Sequence, residues 1–548
     1  MSQFGGQPVL ILKEGAERTQ GKNAQQNNIA AAKVIAEAIR TTLGPRGMDK
    51  MLVDQFQDVT ITNDGATILK EIDVQHPAAK MMVEIAKTQD DEVGDGTTTA
   101  VILAGEMLRN AEKLVEQKVH PTVITEGFRK ATEKAIELLD SIATPLGDDD
   151  YEILLEAAKT SMNSKVVVDS KELFAKIAVD AIKAVAEEVD GKWKVDLDRI
   201  QIQKKEGESL DSTQFIPGII LDKEVVSPAM PKRIDDAKIA LVQAAMEVEK
   251  TEFDAKLQIT SPEQIQEFLD QEQSILMNMV NKIVDAGANV VICQKGIDDM
   301  AQHFLAKKGV LAVRRVKKSD LEKLAKATGG KIINSFDDLD ESKLGSAALV
   351  EERKVMTEDW TFVEGCQDPK AVVILIRGGS DIIVDEADRA LHDALCVVKD
   401  LVEDRAYVPG GGAIEVEMAK QLREFAETLS GREQLAVRAF ADAMEIVPKT
   451  LAENAGLDQI EMLMKVRSAH GQGDMNAGID LDTGEVVDMV ATQVIEPVAV
   501  KKQAIKSASE ASQMILRIDD VIAASKSGGP GGPGGPGGMP PGGMGDMD

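Results

Sequence analysis

A chain of 548 residues exceeds what one hydrophobic core serves and predicts about three domains. Its 63 basic against 93 acidic residues leave a formal charge of -30, which repels polyphosphate backbones and anionic membranes, so neither nucleic acid nor a membrane is an expected partner. Three scattered cysteines without metal-ligand spacing read as reduced thiols in a cytoplasmic protein, and no apolar run is long enough to span a bilayer.

Apolar residues make up 43% but aromatics only 3%, so the interior must be packed with Ala, Val, Ile, Leu and Met. Residues 23–43 read as a helix with Ile29, Val34, Ile35, Ala38 and Ile39 on its apolar side, closed by Leu43-Gly44-Pro45-Arg46-Gly47. A glycine there ends a helix and also exposes backbone to a ligand. Residues 50–53 and 59–62 flank a polar link as the strands of a hairpin do. A lone hairpin is marginal in water, so a partner sheet is expected. Asn63-Asp64-Gly65-Ala66-Thr67 follows as a turn before a helix, with Asp64 placed to cap that helix or to face a metal and a water.

Gly94-Asp95-Gly96-Thr97-Thr98-Thr99 opens a further helix, marked by Val101, Ile102, Leu103, Met107, Leu108, Leu114 and Val115 at helical spacing. The free amides and positive dipole of a helix N-terminus attract phosphate, and glycine lets the anion approach. Ionised Asp95 only accepts hydrogen bonds, so beside phosphates it makes sense mainly as a magnesium ligand. Taken alone, the hexamer reads first as an Asp cap followed by three threonines, and other motifs must decide.

From about 195 to 375 short strands, at 238–243, 289–293 and 310–313, alternate with helices and mark an α/β region. Within it Ser261-Pro262-Glu263-Gln264 is a strong helix start. Ile265, Phe268, Leu269, Ile275, Leu276, Met279, Val280, Ile283 and Val284 then recur at helical spacing until Gly287, giving a helix longer than a compact domain needs. Helices at 298–308 (Met300, Phe304, Leu305) and 319–328 (Leu321, Leu324, Ala325) offer candidate apolar patches, although most side chains at such spacing are core. A buried strand at 371–376 leads through Arg377-Gly378-Gly379-Ser380 into a helix at 385–405. Leu391, Leu395, Val398 and Val402 form its apolar face; Asp393 points away from that face and by default is solvated. His392 has no second metal ligand at workable spacing. Val408-Pro409-Gly410-Gly411-Gly412-Ala413 precedes another helix, and its glycines would let a purine or ribose lie against the backbone. Residues 8–12 and 517–522 read as terminal strands, and the Gly-Gly-Pro tail from 527 to 548 as disordered. No Walker-type loop and no well-placed dinucleotide fingerprint occurs.

Taken in order, Leu43-Gly44-Pro45, Asn63 to Thr67, Gly94 to Thr99, His392-Asp393-Ala394-Leu395 and Gly410-Gly411-Gly412 resemble the motif set of the chaperonins. The resemblance runs from about 8 to about 525 and is closest to group II, the branch of the archaeal thermosome and the eukaryotic cytosolic TCP-1 chaperonin.

That resemblance implies a multidomain α/β fold. A mostly helical equatorial ATPase domain would come from both chain ends (1–150 and 407–526), with a small α/β intermediate domain (151–220 and 371–406) and an α/β apical domain (221–370) whose helical protrusion, about 251–282, serves as a built-in lid. It implies ATP and Mg2+: Asp95 holding the metal; Gly96, Thr97, Thr98 and Thr99 cradling the phosphates with Gly44; Leu43 and Pro45 also at the nucleotide; and Asp393 positioning or deprotonating the attacking water with Asp64 assisting. Ser164 and Lys165 would form a nucleotide-sensing turn, Gly411 would meet the nucleoside, Asn476, Ala477 and Gly478 the base, and Glu496 the ribose. The implied partners are non-native polypeptides and identical or paralogous subunits of a double ring, joined by terminal strands pairing with the hairpin across subunits. The rival readings are a scaffold or holdase without productive hydrolysis, and a small-molecule kinase.

Overall fold

In the computed structural model, residues 17–147, 150–248, 262–366 and 372–523 are described. Strand Glu17–Gln20 pairs antiparallel with Asp520–Ala523, so the two ends of this stretch meet in one ribbon. From it, helices Lys22–Arg40 and Val498–Leu516 enter a common core with Pro77–Val93, Thr97–Glu116, Pro121–Ile142, Ala413–Thr428 and Glu433–Met444. The helix forms as expected, and its expected apolar face holds at Ile29, Ile35 and Ile39 but not at Val34 and Ala38. Ile29, Ala32, Ile35, Ala36 and Ile39 carry the buried stripe of Lys22–Arg40, whereas Val34, 67% exposed, and Ala38 face outward. Small residues let these helices approach: a Cβ on Gly105 would stand 2.4 Å from that of Ala36. Aromatic contacts are sparse, Phe128 meeting Phe440 edge-on with ring centroids 5.6 Å apart.

A second core gathers Tyr151–Met162, Lys171–Val185 and Asp381–Asp404 against strand Val372–Gly378. A third lies on one long sheet. Its strand order is Leu311–Val313, Val290–Cys293, Arg233–Val242, Gly345–Val355, Glu358–Cys366, Gln214–Leu221, Val372–Gly378 and Ile200–Glu206, with Ile332–Ile333 also on Arg233–Val242. Residues 214–217 of the sixth strand pair with Val372–Gly378, while Gly218 to Leu221 pair with Glu358–Cys366. Gly218 marks the change of partner, because a Cβ there would lie 2.0 Å from the Val363 carbonyl oxygen.

Helix Pro262–Asp285, about 36 Å long at 1.5 Å per residue, packs into the third core through Leu276, Val280 and Ile283. Asp270 to Ile275 are exposed, so Ile275 leaves the apolar stripe expected for it. The expected segment 251–261, Ser261 included, lies outside the described residues, as do strand 8–12 and the tail 527–548. Of the candidate apolar patches, Phe304, Leu305, Leu321 and Leu324 are buried in the core; Met300 alone among these five stands exposed. The late strand begins at Asp520, not 517, because the preceding helix continues to Leu516; its partner Glu17–Gln20 carries too little apolar pattern to be read beforehand. Hairpin Lys50–Val53 and Val59–Thr62 forms as expected and makes a two-stranded sheet by itself, with Met51, Val53 and Phe56 exposed. Among the described residues no helix is long and apolar enough to cross a membrane.

Gly105→Ala gains helix propensity yet pushes a methyl into Ala36 across two helices. Chemical denaturation is expected to show a loss of about 1–3 kcal/mol, against the gain an exposed helical glycine would give.

Candidate active site

Helix Thr97–Glu116 starts from Gly96, which sits at φ 74° in the left-handed region and offers no side-chain cap. Its first ladder bond runs from the Ala100 amide to the Gly96 carbonyl at 3.0 Å, leaving the amides of Thr97, Thr98 and Thr99 outside the ladder. Asp95 is therefore not the cap; its Oδ1 accepts from the Gly96 amide at 2.6 Å. Gln89 Nε2 donates to the Asp95 carbonyl at 2.9 Å and to that of Val500 at 3.2 Å, tying the loop to the last helix.

A second helix N-terminus abuts the first. Asp64 caps Gly65–Glu71, accepting from the Thr67 amide at 2.7 Å, and its other oxygen accepts from Thr97 Oγ1 at 3.1 Å. Of the two readings offered for Asp64, the cap is the one observed, and the same side chain also reaches the neighbouring loop through Thr97. Gly65 has no room for a side chain, since a Cβ would lie 2.6 Å from Thr98 Oγ1.

Asp393 overturns its default. It is only 7% exposed, because Asp381–Asp404 is packed on more than its apolar face: Cys396, one turn on, fills the space over Gly94, where a Cβ would come within 2.4 Å of the thiol. Asp393 Oδ2 forms an ion pair with buried Lys165, which arrives on the turn after Tyr151–Met162. Asn63 Nδ2 donates to the Ser164 carbonyl and anchors that turn. Burial pulls the Lys165 ammonium down, but Asp393, Asp64 and Asp95 together outweigh it and hold the lysine above its usual value. Burial also raises the carboxyls of Asp393 and Asp95, each partly relieved by Lys165.

These groups line a cleft of about 650 Å3, within the range of pockets that hold small-molecule ligands. Leu43, Gly44, Pro45, Asp64, Asp95, Gly96, Thr97, Thr98, Thr99, Ser164, Lys165, Asp393, Gly411 and Glu496 all face it. Asn476, Ala477 and Gly478 do not: Gly478 packs against Met489, which itself lines the cleft. The helix Lys22–Arg40 ends short of Gly44, so that glycine is no helix cap. It turns at φ 81° beneath Leu451, whose Cδ2 a Cβ would approach to 2.3 Å. The sequence reading missed Thr42, Arg46, Gly65, Lys171, Met489 and Lys501. Arg46 and Gly65 lie inside the motifs already singled out; Lys501 carries no local signal, because one of its carboxylate partners is 86 residues away.

Among the described residues no three His, Cys, Asp or Glu side chains form a ready metal cage. His392 stands with its Nε2 3.6 Å from Cys396 Sγ and close enough to Asp90 to act on its charge. Magnesium differs from such caged metals in taking one or two carboxylates together with substrate phosphates, and Asp95 beside free helix amides suits that demand.

The loop at Gly94 to Thr99 stands on the helical layer that Lys22–Arg40 and Val498–Leu516 share, and the buried Asp393 that faces it rides on a separately packed layer. The chain belongs to the TCP-1/cpn60 chaperonin family, whose profile matches residues 35–526. It is similar to the thermosome subunit of Pyrococcus horikoshii, 60% identical over 526 residues and 96% of both chains. Against the thermosome beta and alpha subunits of Archaeoglobus fulgidus the identities are 59% and 56%, again over 96% of each chain. It is thus a group II chaperonin subunit, and the family's activity is ATP-dependent folding of other polypeptides.

One carboxylate on the same helix serves no such role. Asp400 is buried with Oδ2 bonded to nothing among the described residues, and burial pushes its carboxyl up to about 8 despite Lys399 nearby. The unfolded chain releases that proton near about pH 4, so from there to about pH 8 the folded chain holds one proton more and stability falls as pH rises. Asp400→Asn removes this dependence. Its advantage in denaturation midpoint over the native chain is expected to grow across that window and to exceed about 1 kcal/mol above it.

Proposed function

We propose that the cleft binds ATP with Mg2+ and that its hydrolysis moves the layer carrying Asp393, opening and closing a folding chamber. The observation that carries this reading is the Lys165 ammonium, buried between Asp393, Asp64 and Asp95 at the mouth of two abutting helix N-termini. Phosphoryl transfer needs charge neutralisation and an oriented nucleophile more than covalent help. Gly44, Gly96, Thr97, Thr98 and Thr99, with Leu43 and Pro45, surround the phosphates. Asp95 holds the magnesium, which when bound neutralises phosphate charge. Asp393 orients and deprotonates the water, Asp64 assists, and Ser164 and Lys165 register the nucleotide. Gly411 and Glu496 meet the nucleoside, and Asn476, Ala477 and Gly478 support the base from behind Met489.

On this reading the helical layer (1–150, 407–526) is equatorial, 151–220 with 371–406 intermediate, and 221–370 apical. The exposed stretch of Pro262–Asp285 then belongs to the lid, and Ile275, Met277 and Met300 are apolar surface offered to non-native clients. Identical or paralogous subunits complete a double ring in the cytoplasm. The hairpin at Lys50–Val53 supports assembly: its apolar side chains are exposed and its edges unpaired within the described chain.

Asp393→Ala is expected to lower ATP turnover at least about 100-fold while nucleotide binding persists, and to abolish client refolding. Refolding that continued at full yield would instead favour a holdase. In the native protein kcat/KM falls as pH drops through the raised Asp393 pKa, an acid limb above the ordinary carboxylate value of about 4. Lys165 relieves that carboxyl, so in Lys165→Met the limb moves to still higher pH. Val53→Asp on the exposed hairpin strand is expected to shift sedimentation from a ring toward the 59.0 kDa subunit.

A further inference from the structure

At the nucleoside end of the cleft lies a buried charge cluster to which neither the hydrolytic nor the phosphate-binding reading gives a task. Lys501, in the first turn of helix Val498–Leu516, reaches Glu415 Oε1 at 2.8 Å and Glu496 Oε2 at 2.7 Å. The lysine and Glu415 are buried; Glu496 is partly open to the cleft. Glu415 Oε2 is buried and bonded to nothing among the described residues. Two carboxylates share one ammonium, so Lys501 cannot be removed without stranding negative charge in the interior.

The geometry gives the pair of oxygens on Glu496 different fates. Oε2 is held by Lys501. Oε1 lies beside Gly410, where a Cβ would stand 3.1 Å away, and the missing side chain leaves that oxygen approachable. Strand Ile495–Pro497 fixes the backbone, Glu496 lying opposite Val408 in the antiparallel register, and the Gly410 amide donates to Val494 at 2.9 Å. What remains free is the side-chain torsion, and the ammonium settles it. An ionised carboxylate only accepts hydrogen bonds, so its ligand must donate. In a nucleotide outside the phosphates and the base, the donors are the sugar hydroxyls.

We propose that Lys501 is the positioning residue that holds Glu496 as acceptor for a sugar hydroxyl, and thereby sets a preference for ribonucleotides over their deoxy counterparts. This rests on reading the cleft as a nucleotide site. Glu415 serves as the second anchor, keeping the ammonium from following Glu496 toward the ligand. Lys501 also lies within electrostatic reach of Asp95, so one buried cation is felt at both the sugar and the metal ends of the cleft.

The test is calorimetric titration of the assembled, folded protein with ADP, 2′-deoxy-ADP and 3′-deoxy-ADP in the presence of Mg2+. The native protein is expected to bind ADP about tenfold more tightly than at least one deoxy analogue, the loss of one hydrogen bond to a charged acceptor. In Lys501→Met the affinity for ADP falls to that of the analogue and the ratio drops to about one, while Lys501→Arg restores part of it. The double variant Lys501→Met/Glu415→Gln, which relieves the stranded charge, is expected to fold and to show the same lost preference. The assignment is overturned if either Met variant keeps the native ratio, or if the native protein binds ADP and both analogues alike. Native protein that bound no adenine nucleotide would overturn the reading of the cleft itself.

Discussion

A cation buried among carboxylates governs this molecule. Lys165 pairs with Asp393 and feels Asp64 and Asp95, and each of the four comes from a different segment: a turn, a helix interior, a helix cap and a glycine loop. With all ionised, one positive charge stands against three negative, an excess that equals the charge of a divalent metal. Burying ions is costly unless they are paired, so the segments can close on one another only while that balance holds. Anything that adds polyphosphate and metal to the cleft must rearrange it. The electrostatics of the site and the mutual placement of two structural layers are therefore one problem.

The packing around the cluster follows from what the chain leaves out. With so few aromatics, helices approach through alanine and glycine, as at Gly105 against Ala36 and Gly127 against Ala436, where a Cβ would stand 2.4 Å from the neighbouring methyl. Close backbones hold the helix ends in register. The same economy shapes the cleft: Gly44, Gly65 and Gly96 each stand where a side chain would strike Leu451, Thr98 or Val500. Close-packed helices on one side and a separately packed helix on the other leave Asp393 buried at the boundary between two cores.

Much of this was legible in the sequence. Periodicity located the long helices and the hairpin because both obey local rules. The loop at Gly94 to Thr99 was legible because its chemistry is contiguous. The burial of Asp393 was not, although the motif resemblance singled the residue out: on a helical wheel it opposes the apolar face, and only the arrival of Lys165 and the fit of Cys396 over Gly94 turn that second face inward. Lys501 was invisible for the same reason, its meaning residing in carboxylates brought from afar by the fold. The stripe of Lys22–Arg40 was right in Ile29, Ile35 and Ile39 and wrong at its edges, because alanines such as Ala32 and Ala36, weak in any hydrophobicity pattern, share the packing in this core. Ile275 erred oppositely, since an apolar residue at helical spacing need not find a neighbour where a helix outruns its core.

The strand Gln214–Leu221 belongs at once to two halves of the long sheet, holding Val372–Gly378 with its first residues and Glu358–Cys366 with its last. Two rigid pieces joined by a flexible tether can drift independently; two pieces that share a hydrogen-bonded ribbon cannot. Neither half can shift against the other without breaking ladder bonds of this common strand, and at Gly218, where the pairing changes hands, a side chain would strike the Val363 carbonyl.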